Sequence, residues 1–271
     1  MTAAPYVQVD SLVARYGNRT ILDGVTFNAQ RGEITVILGS SGCGKTTVLR
    51  HIVGLLTPAS GRVLIDGRDI HRVSEEEQEA MLRNIGMSFQ GGALFNSMTL
   101  EENVAMPIIE HLHADPETAG MLARMKLALV GLERAARLLP SEISGGMKKR
   151  AAVARALALN PTLLLFDELS AGLDPITARE LDELILTLKR QFDMAIIIVT
   201  HELGSIQMIA DQAVMLHQGK VLAAGPLHEV QAINHPQVRA FFDRRPRPAA
   251  MRNGLLEAIL AEGEPRGENP A

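Results

Sequence analysis

The sequence predicts an α/β protein: a mostly parallel sheet, an antiparallel sheet at the N-terminus, and an inserted α-helical subdomain. Three observations predict it. Short apolar runs at residues 34–38, 162–166, 195–199 and 213–216 have the length and texture of strands buried on both faces. Helical segments separate the last three, and such βαβ alternation implies parallel strands covered on both sides. Between about residues 91 and 160 the strand signals vanish and apolar residues recur at helical spacing.

In chain order, Val7, Val9, Ser11 and Val13 alternate with polar neighbours, as in a half-exposed antiparallel strand. The run at 34–38 leads into a glycine-rich turn, and a helix is expected over 45–55. Residues 62–66 and 85–89 read as further strands. Pro107, Pro116 and Pro140 punctuate the helical stretch. This divides the chain into a core of residues 1–90 and 161–240, a helical subdomain of 91–160, and a tail of 241–271. In the tail, Arg244-Arg245-Pro246-Arg247-Pro248 reads as a linker, 251–262 as one short helix, and 263–271 as disorder. There is no internal repeat.

Composition narrows the function. The chain has 271 residues, a net charge of −4 and 46% hydrophobic residues, enough for one large domain with a real core. The balanced charge offers no basic footprint for nucleic acid. One cysteine, Cys43, excludes an internal disulfide and fits a reducing compartment. No apolar run approaches the ~18–20 residues that cross a bilayer, and the first six residues do not resemble a secretory signal. Service to a membrane would therefore run through partners.

Gly39-Ser40-Ser41-Gly42-Cys43-Gly44-Lys45-Thr46 matches G-x-x-x-x-G-K-[ST] between an expected strand and an expected helix. Glycines let backbone N–H groups wrap phosphates closely, and the helix N-terminus adds partial positive charge. Lys45 supplies a point charge for the terminal phosphates; Thr46 or Thr47 offers a hydroxyl to Mg²⁺. The same helix start is expected to lower the pKa of Cys43.

Leu163-Leu164-Leu165-Phe166-Asp167-Glu168 is an apolar strand ending in two acids. Successive strand residues face opposite ways, so the two carboxylates take different tasks. Asp167 suits water-mediated Mg²⁺ binding and Glu168 suits a general base toward water. The plain alternative is an acidic strand end facing solvent. Farther back, Ser144-Gly145-Gly146 precedes a helix-forming run, a second anion-binding start. One nucleotide rarely needs two such sites, so this one is expected to serve the nucleotide of another subunit; a polar turn before a helix is its plain alternative.

The order of phosphate loop, glutamine, Ser-Gly-Gly, acidic strand and histidine resembles the ATP-binding-cassette (ABC) family. That resemblance implies a P-loop NTPase core, with ATP and Mg²⁺ as ligands and ATP hydrolysis coupled to transport as activity. It implies that Tyr16 stacks on adenine, that Gln90 is a hinge residue sensing Mg²⁺ and water, and that Ser170-Ala171-Gly172-Leu173-Asp174 communicates across a dimer. It also implies that His201 contacts the γ-phosphate. Two departures stand out: Met147 replaces the signature glutamine, and Leu169 replaces a proline common after the catalytic glutamate. The resemblance covers about residues 6–235.

After the glutamine, Gly92-Ala93-Leu94-Phe95 and Glu102-Asn103-Val104-Ala105-Met106-Pro107 closely resemble the Mla-type phospholipid-transport ATPases of Gram-negative inner membranes, and Gly145-Gly146-Met147 followed by Lys148-Lys149-Arg150 resembles that subgroup too. This implies a peripheral homodimer on the cytoplasmic face, bound to an integral-membrane permease (MlaE-like), a substrate-binding protein (MlaD-like) and a small STAS-domain protein (MlaB-like) docked on the helical subdomain. Residues 237–271 would reach a neighbouring subunit or remain a disordered tail. Alternatives are a cassette ATPase for another cargo, such as amino acids or a hydrophobic compound, and, more remotely, a soluble cassette ATPase acting on DNA or ribosomes. The last usually carries coiled-coil insertions, paired cassettes or basic arms, which this chain lacks.

Overall fold

The computed structural model describes residues 4–89 and 93–243. The chain divides into two compact units, Met1–Val230 and Gln231–Ala271. The first opens with β1 (Val7–Tyr16), β2 (Arg19–Ala29), β3 (Ile34–Gly39) and α1 (Lys45–Ile52). There follow β4 (Ser60–Ile65), β5 (Arg68–Asp69), α2 (Glu75–Leu82) and β6 (Ile85–Ser88). Then come α3 (Leu100–Leu112), α4 (Pro116–Leu129) and α5 (Gly145–Ala156), the last two joined through 3₁₀ turns at Glu133–Ala135 and Pro140–Glu142. The remaining elements are β7 (Leu163–Asp167), α6 (Pro175–Gln191), β8 (Ala195–Val199), α7 (Leu203–Ile209), β9 (Gln212–His217), β10 (Lys220–Pro226), α8 (Leu227–Ala232) and α9 (Pro236–Phe242). In the second unit, α9 is capped by His235, whose Nδ1 accepts from Gln237 N at 3.3 Å.

Two sheets carry the first unit. One is antiparallel, in the order β2-β1-β4-β5; the other runs β10-β9-β3-β8-β7-β6. In the second sheet β9, β3, β8, β7 and β6 are parallel, with β10 antiparallel at the edge. Strands β3, β7 and β8 are buried along their whole length, as expected of parallel strands covered on both faces. One apolar cluster joins Val9, Leu12 and Leu22 of the antiparallel sheet to Leu49 and Ile52 of α1 and to Leu165 and Ile197 of the parallel sheet. Each such side chain, fully buried, contributes about 1.5–3 kcal/mol, so α1 is held on its apolar face while its N-terminus stays at the sheet edge.

The expected alternation along β1 breaks at Ser11. Val7, Val9, Leu12 and Ala14 are buried, whereas Ser11 is exposed with φ +52°, and the pairing with β2 shifts register between Val9 and Leu12. A bulge inserts one residue and reverses the inward phase, so Ser11 and Val13 are not the core positions that strict alternation implies. Strands β2 and β10 escape sequence reading; in β2 the alternation of buried Val25, Phe27 and Ala29 is interrupted on its N-terminal side by two successive exposed residues, Asp23 and Gly24. The helix expected over 45–55 ends at Ile52, with Val53 as its cap and Gly54 at φ +70°.

Pro107 does not break the helical stretch; it lies inside α3. Proline removes one i→i−4 bond. A capping box between Thr99 and Glu102, and the burial of Leu100, Val104, Ala105 and Ile108 on both sides of the proline, carry the helix through it. Pro116 and Pro140, by contrast, stand at element starts, where a missing N–H costs nothing.

Candidate active site

Strand order assembles the site. β8 lies between β3 and β7, so the phosphate loop after β3, His201 after β8 and the acids ending β7 emerge side by side at the carboxyl edge of the sheet, where ligands of open α/β sheets bind.

The loop from Gly39 to Thr47 has little freedom. Gly39 has φ +146°, and a Cβ there would stand 2.3 Å from the Leu216 carbonyl. Gly44, the cap residue of α1, has φ +104°, and a Cβ there would meet Leu22 at 2.4 Å. Only glycine fits either position without backbone movement. Ser40, Ser41 and Gly42 form the turn between them; Ser41 and Gly42 are exposed. Lys45 is 8% exposed and donates to the Gly39 and Ser40 carbonyls at 3.0 and 3.2 Å. Its ammonium thus spans the loop that it would share with a phosphate.

Thr46, rather than Thr47, is the threonine whose hydroxyl acts on the Asp167 carboxylate. Burial pushes the Asp167 carboxyl above its usual range, the Thr46 hydroxyl opposes this, and the neighbouring charge of Glu168 adds to it. A buried carboxylate beside a threonine hydroxyl is a donor pair suited to Mg²⁺, which favours one or two carboxylates completed by phosphate oxygens and water.

Glu168 lies one residue beyond β7, in the left-handed region at φ +52°, and its N–H donates to Val199 O at 2.8 Å. Strand alternation therefore does not separate Asp167 from Glu168; the turn of the backbone does. Asp167 is buried, while Glu168 reaches the rim, where its Oε1 is 3.1 Å from His201 Nδ1. A carboxylate only accepts, so that nitrogen carries the proton and donates. Non-glycine residues in this region are uncommon and strained.

Cys43 corrects the expectation of a reactive thiol. It is 5% exposed, and burial pushes its pKa up, outweighing the nearby Lys45 charge and the loop amides.

Ser144 caps α5 by accepting from Met147 N at 3.3 Å, and Ser144 and Gly145 are exposed. A Cβ on Gly146 would stand 2.4 Å from the Thr177 side chain, and one on Gly145 would lie 3.8 Å from Leu173. Within one chain this turn therefore faces the start of α6. Asp174 caps α6, with Oδ1 accepting from Ile176 N and Thr177 N, both at 3.0 Å, and Oδ2 from the Thr177 hydroxyl at 2.6 Å. Tyr16 ends β1, half exposed and paired with Arg19, three residues before the Leu22 that packs on Gly44. Gln90 lies outside the described residues.

The structure thus brings together Lys45, Thr46, Asp167, Glu168 and His201. Sequence reading misses Lys149, whose ammonium, depressed by burial, is held up by the charge of Glu168. It lies on α5 in the Lys148-Lys149-Arg150 run after the Ser-Gly-Gly turn, which sequence reading takes as a family likeness and not as part of the site. Arg150 on the same helix pairs with Glu180 of α6 at 2.6 Å.

A loop of this shape, followed by a helix and flanked by a buried aspartate and a rim glutamate, defines a nucleotide-binding ATPase core. Residues 22–171 match the family model described as ABC transporter. The chain is 43% identical over 227 residues, 84% of both chains, to the "Intermembrane phospholipid transport system ATP-binding protein MlaF" of Escherichia coli K12. It is 39% identical over 257 residues, covering 94% of this chain and 72% of the relative, to the "Probable ribonucleotide transport ATP-binding protein mkl" of Mycobacterium tuberculosis H37Rv. A dimeric ATP-binding cassette, MJ0796, solved in a post-hydrolysis state bound to ADP and Pi, superposes with a TM-score of 0.74 at 30% identity, covering 82% of this chain and 98% of that one. The chain belongs to the ABC transporter family, as its ATP-hydrolysing component.

Proposed function

We propose that this ATPase powers a phospholipid transporter of the bacterial inner membrane and works as a dimer bound beneath a permease. The observation that carries the cargo is the 43% identity to the E. coli phospholipid-transport protein across 84% of both chains. No helix among the described residues is long and apolar enough to cross a membrane, so contact with the bilayer runs through other subunits.

In this reading Gly39 to Thr47 cradle the phosphates and Tyr16 stacks on the base. Mg²⁺, when bound, would neutralise charge developing on the phosphates; Thr46 and Asp167 would hold it, and the family resemblance gives Gln90 a share in sensing it. Glu168 takes a proton from the attacking water, and His201 orients Glu168 while facing the terminal phosphate. Ser144, Gly145 and Gly146 of a second copy close over the nucleotide, and Asp174 lies at the seam. The dimer shifts toward closure only by the difference in ATP affinity between its two states, which the γ-phosphate contacts supply and hydrolysis removes.

Two exposed apolar features suit further partners. Met121, Met125 and Leu129 are 50%, 65% and 39% exposed along one face of α4, at the i, i+4, i+8 spacing of a docking stripe; this suits the STAS-domain protein. Phe95, 45% exposed, sits on a loop pinned by the fully buried Asn103, which accepts from Phe95 N at 2.7 Å and donates to the Phe95, Met98 and Thr99 carbonyls; this suits the permease.

The test is co-purification with the permease, lipid identification by mass spectrometry, and ATPase assay of the complex in phospholipid vesicles. Bound phospholipid and lipid-stimulated hydrolysis support the reading. Stimulation by ribonucleotides instead, the cargo in the mycobacterial relative's name, overturns it. Ser144→Glu should abolish the ATP-dependent dimer of the Glu168→Gln variant in size-exclusion chromatography; a dimer that persists refutes the trans half-site.

A further inference from the structure

Behind the strand ends that carry Glu168 and His201 lies a cavity of about 10 Å³, no larger than a single water. Its walls are mostly apolar, yet four polar residues reach it: Ser170, Asp182, Thr200 and Ser205. All four are buried, between 3% and 8% exposed. Asp182 is on α6, the helix that Asp174 caps, and it shares the cavity with Ser205 of α7, whose hydroxyl favours its ionised form against the burial that opposes it. Thr200 immediately precedes His201 and accepts from Glu202 N at 3.1 Å. Ser170 follows Glu168 by two residues in the turn where Ala171 N donates to Glu168 O at 3.1 Å.

A carboxyl group among Leu169, Leu181, Ile185, Ile198 and Ile209 is costly to bury, and Asp182 is not part of the active site. Its partner Ser205 sits on the helix that begins just after His201. The pair therefore joins α6 to α7 across a cavity that Leu169 and Ser170 also line, the two residues that follow Glu168, whose left-handed backbone persists only if its surroundings hold it.

We propose that Asp182 is a positioning residue for hydrolysis: through Ser205 it locks the β8–α7 corner bearing His201 against α6 and the turn bearing Glu168. The proposal rests on the roles given above to Glu168 and His201.

The experiment measures kcat per nucleotide-binding site, and ATP Kd, on the full-length chain. Asp182→Ala and Ser205→Ala should each lower kcat about tenfold with Kd within twofold of wild type, and Asp182→Asn should retain most of the rate. The double Ala variant should be no slower than the slower single, because both remove one link. A merely structural role would lower the number of binding sites and leave kcat per site unchanged. Wild-type kcat in both single variants, or effects that multiply to about a hundredfold in the double, overturns the proposal. Should Asp182→Ala fail to fold, Ser205→Ala decides alone: a tenfold loss supports the link and a wild-type rate refutes it. Glu168→Gln assayed alongside separates the two failures: if it hydrolyses at the wild-type rate, the reading of the site itself is wrong.

Discussion

His201 Nδ1 stands 3.1 Å from Glu168 Oε1, each residue lying just past the end of neighbouring parallel strands. The contact couples a partly exposed carboxylate to a ring whose other nitrogen lies 3.8 Å from Glu202 Oε1. Glu168→Gln should therefore keep ATP binding and lower phosphate release by about 10²–10⁴-fold, the usual contribution of a general base. His201→Ala should lose about 10²-fold. Single-turnover phosphate release at saturating ATP checks both; a full rate for Glu168→Gln would remove it from the chemistry.

Lys45→Ala deletes a charge and two hydrogen bonds to loop carbonyls. ATP affinity should fall at least a hundredfold, about 3 kcal/mol at 1.4 kcal/mol per tenfold. Equilibrium binding of a fluorescent nucleotide reads it directly, and unchanged affinity would exclude Lys45 from the phosphate site.

Cys43 should alkylate slowly. Its burial and raised pKa predict maleimide labelling at pH 7 at least about tenfold slower in the native protein than in denaturant, since only the thiolate reacts. Equal rates in the two conditions would contradict the packed loop.

Acid should loosen α1. His51 Nδ1 donates to Thr47 O at 2.7 Å and His71 Nε2 to His51 O at 3.0 Å, and burial lowers both pKa values below 6.5. A depressed histidine favours the neutral form in the fold, so its stabilisation is present above pH 6.5 and is lost as pH falls below it. Asp167 and Asp182, raised by burial, act in the opposite sense, so the comparison is with a variant. The drop in Tm from pH 7.5 to 5.5 should be smaller in His51→Gln than in wild type; equal drops would refute it.

Much of this was legible from residue types. The phosphate loop, the apolar strand ending in Asp167 and the histidine after the 195–199 run announce themselves, because close backbone approach and full burial restrict which residues fit. The bulge at Ser11 was not legible, since one inserted residue inverts the phase without altering composition. Nor was the continuity of α3 through Pro107, where burial outweighs one lost bond. The left-handed backbone of Glu168 and the depth of Cys43 depend on what other strands place around them. Asp182 and Ser205 carry no motif and become neighbours only when α6 and α7 fold over the sheet.

The bonds from Lys45 to the Gly39 and Ser40 carbonyls brace the loop from within. The side chain that would meet the terminal phosphates is thus also a strut of the cradle, so one replacement there removes charge and shape together.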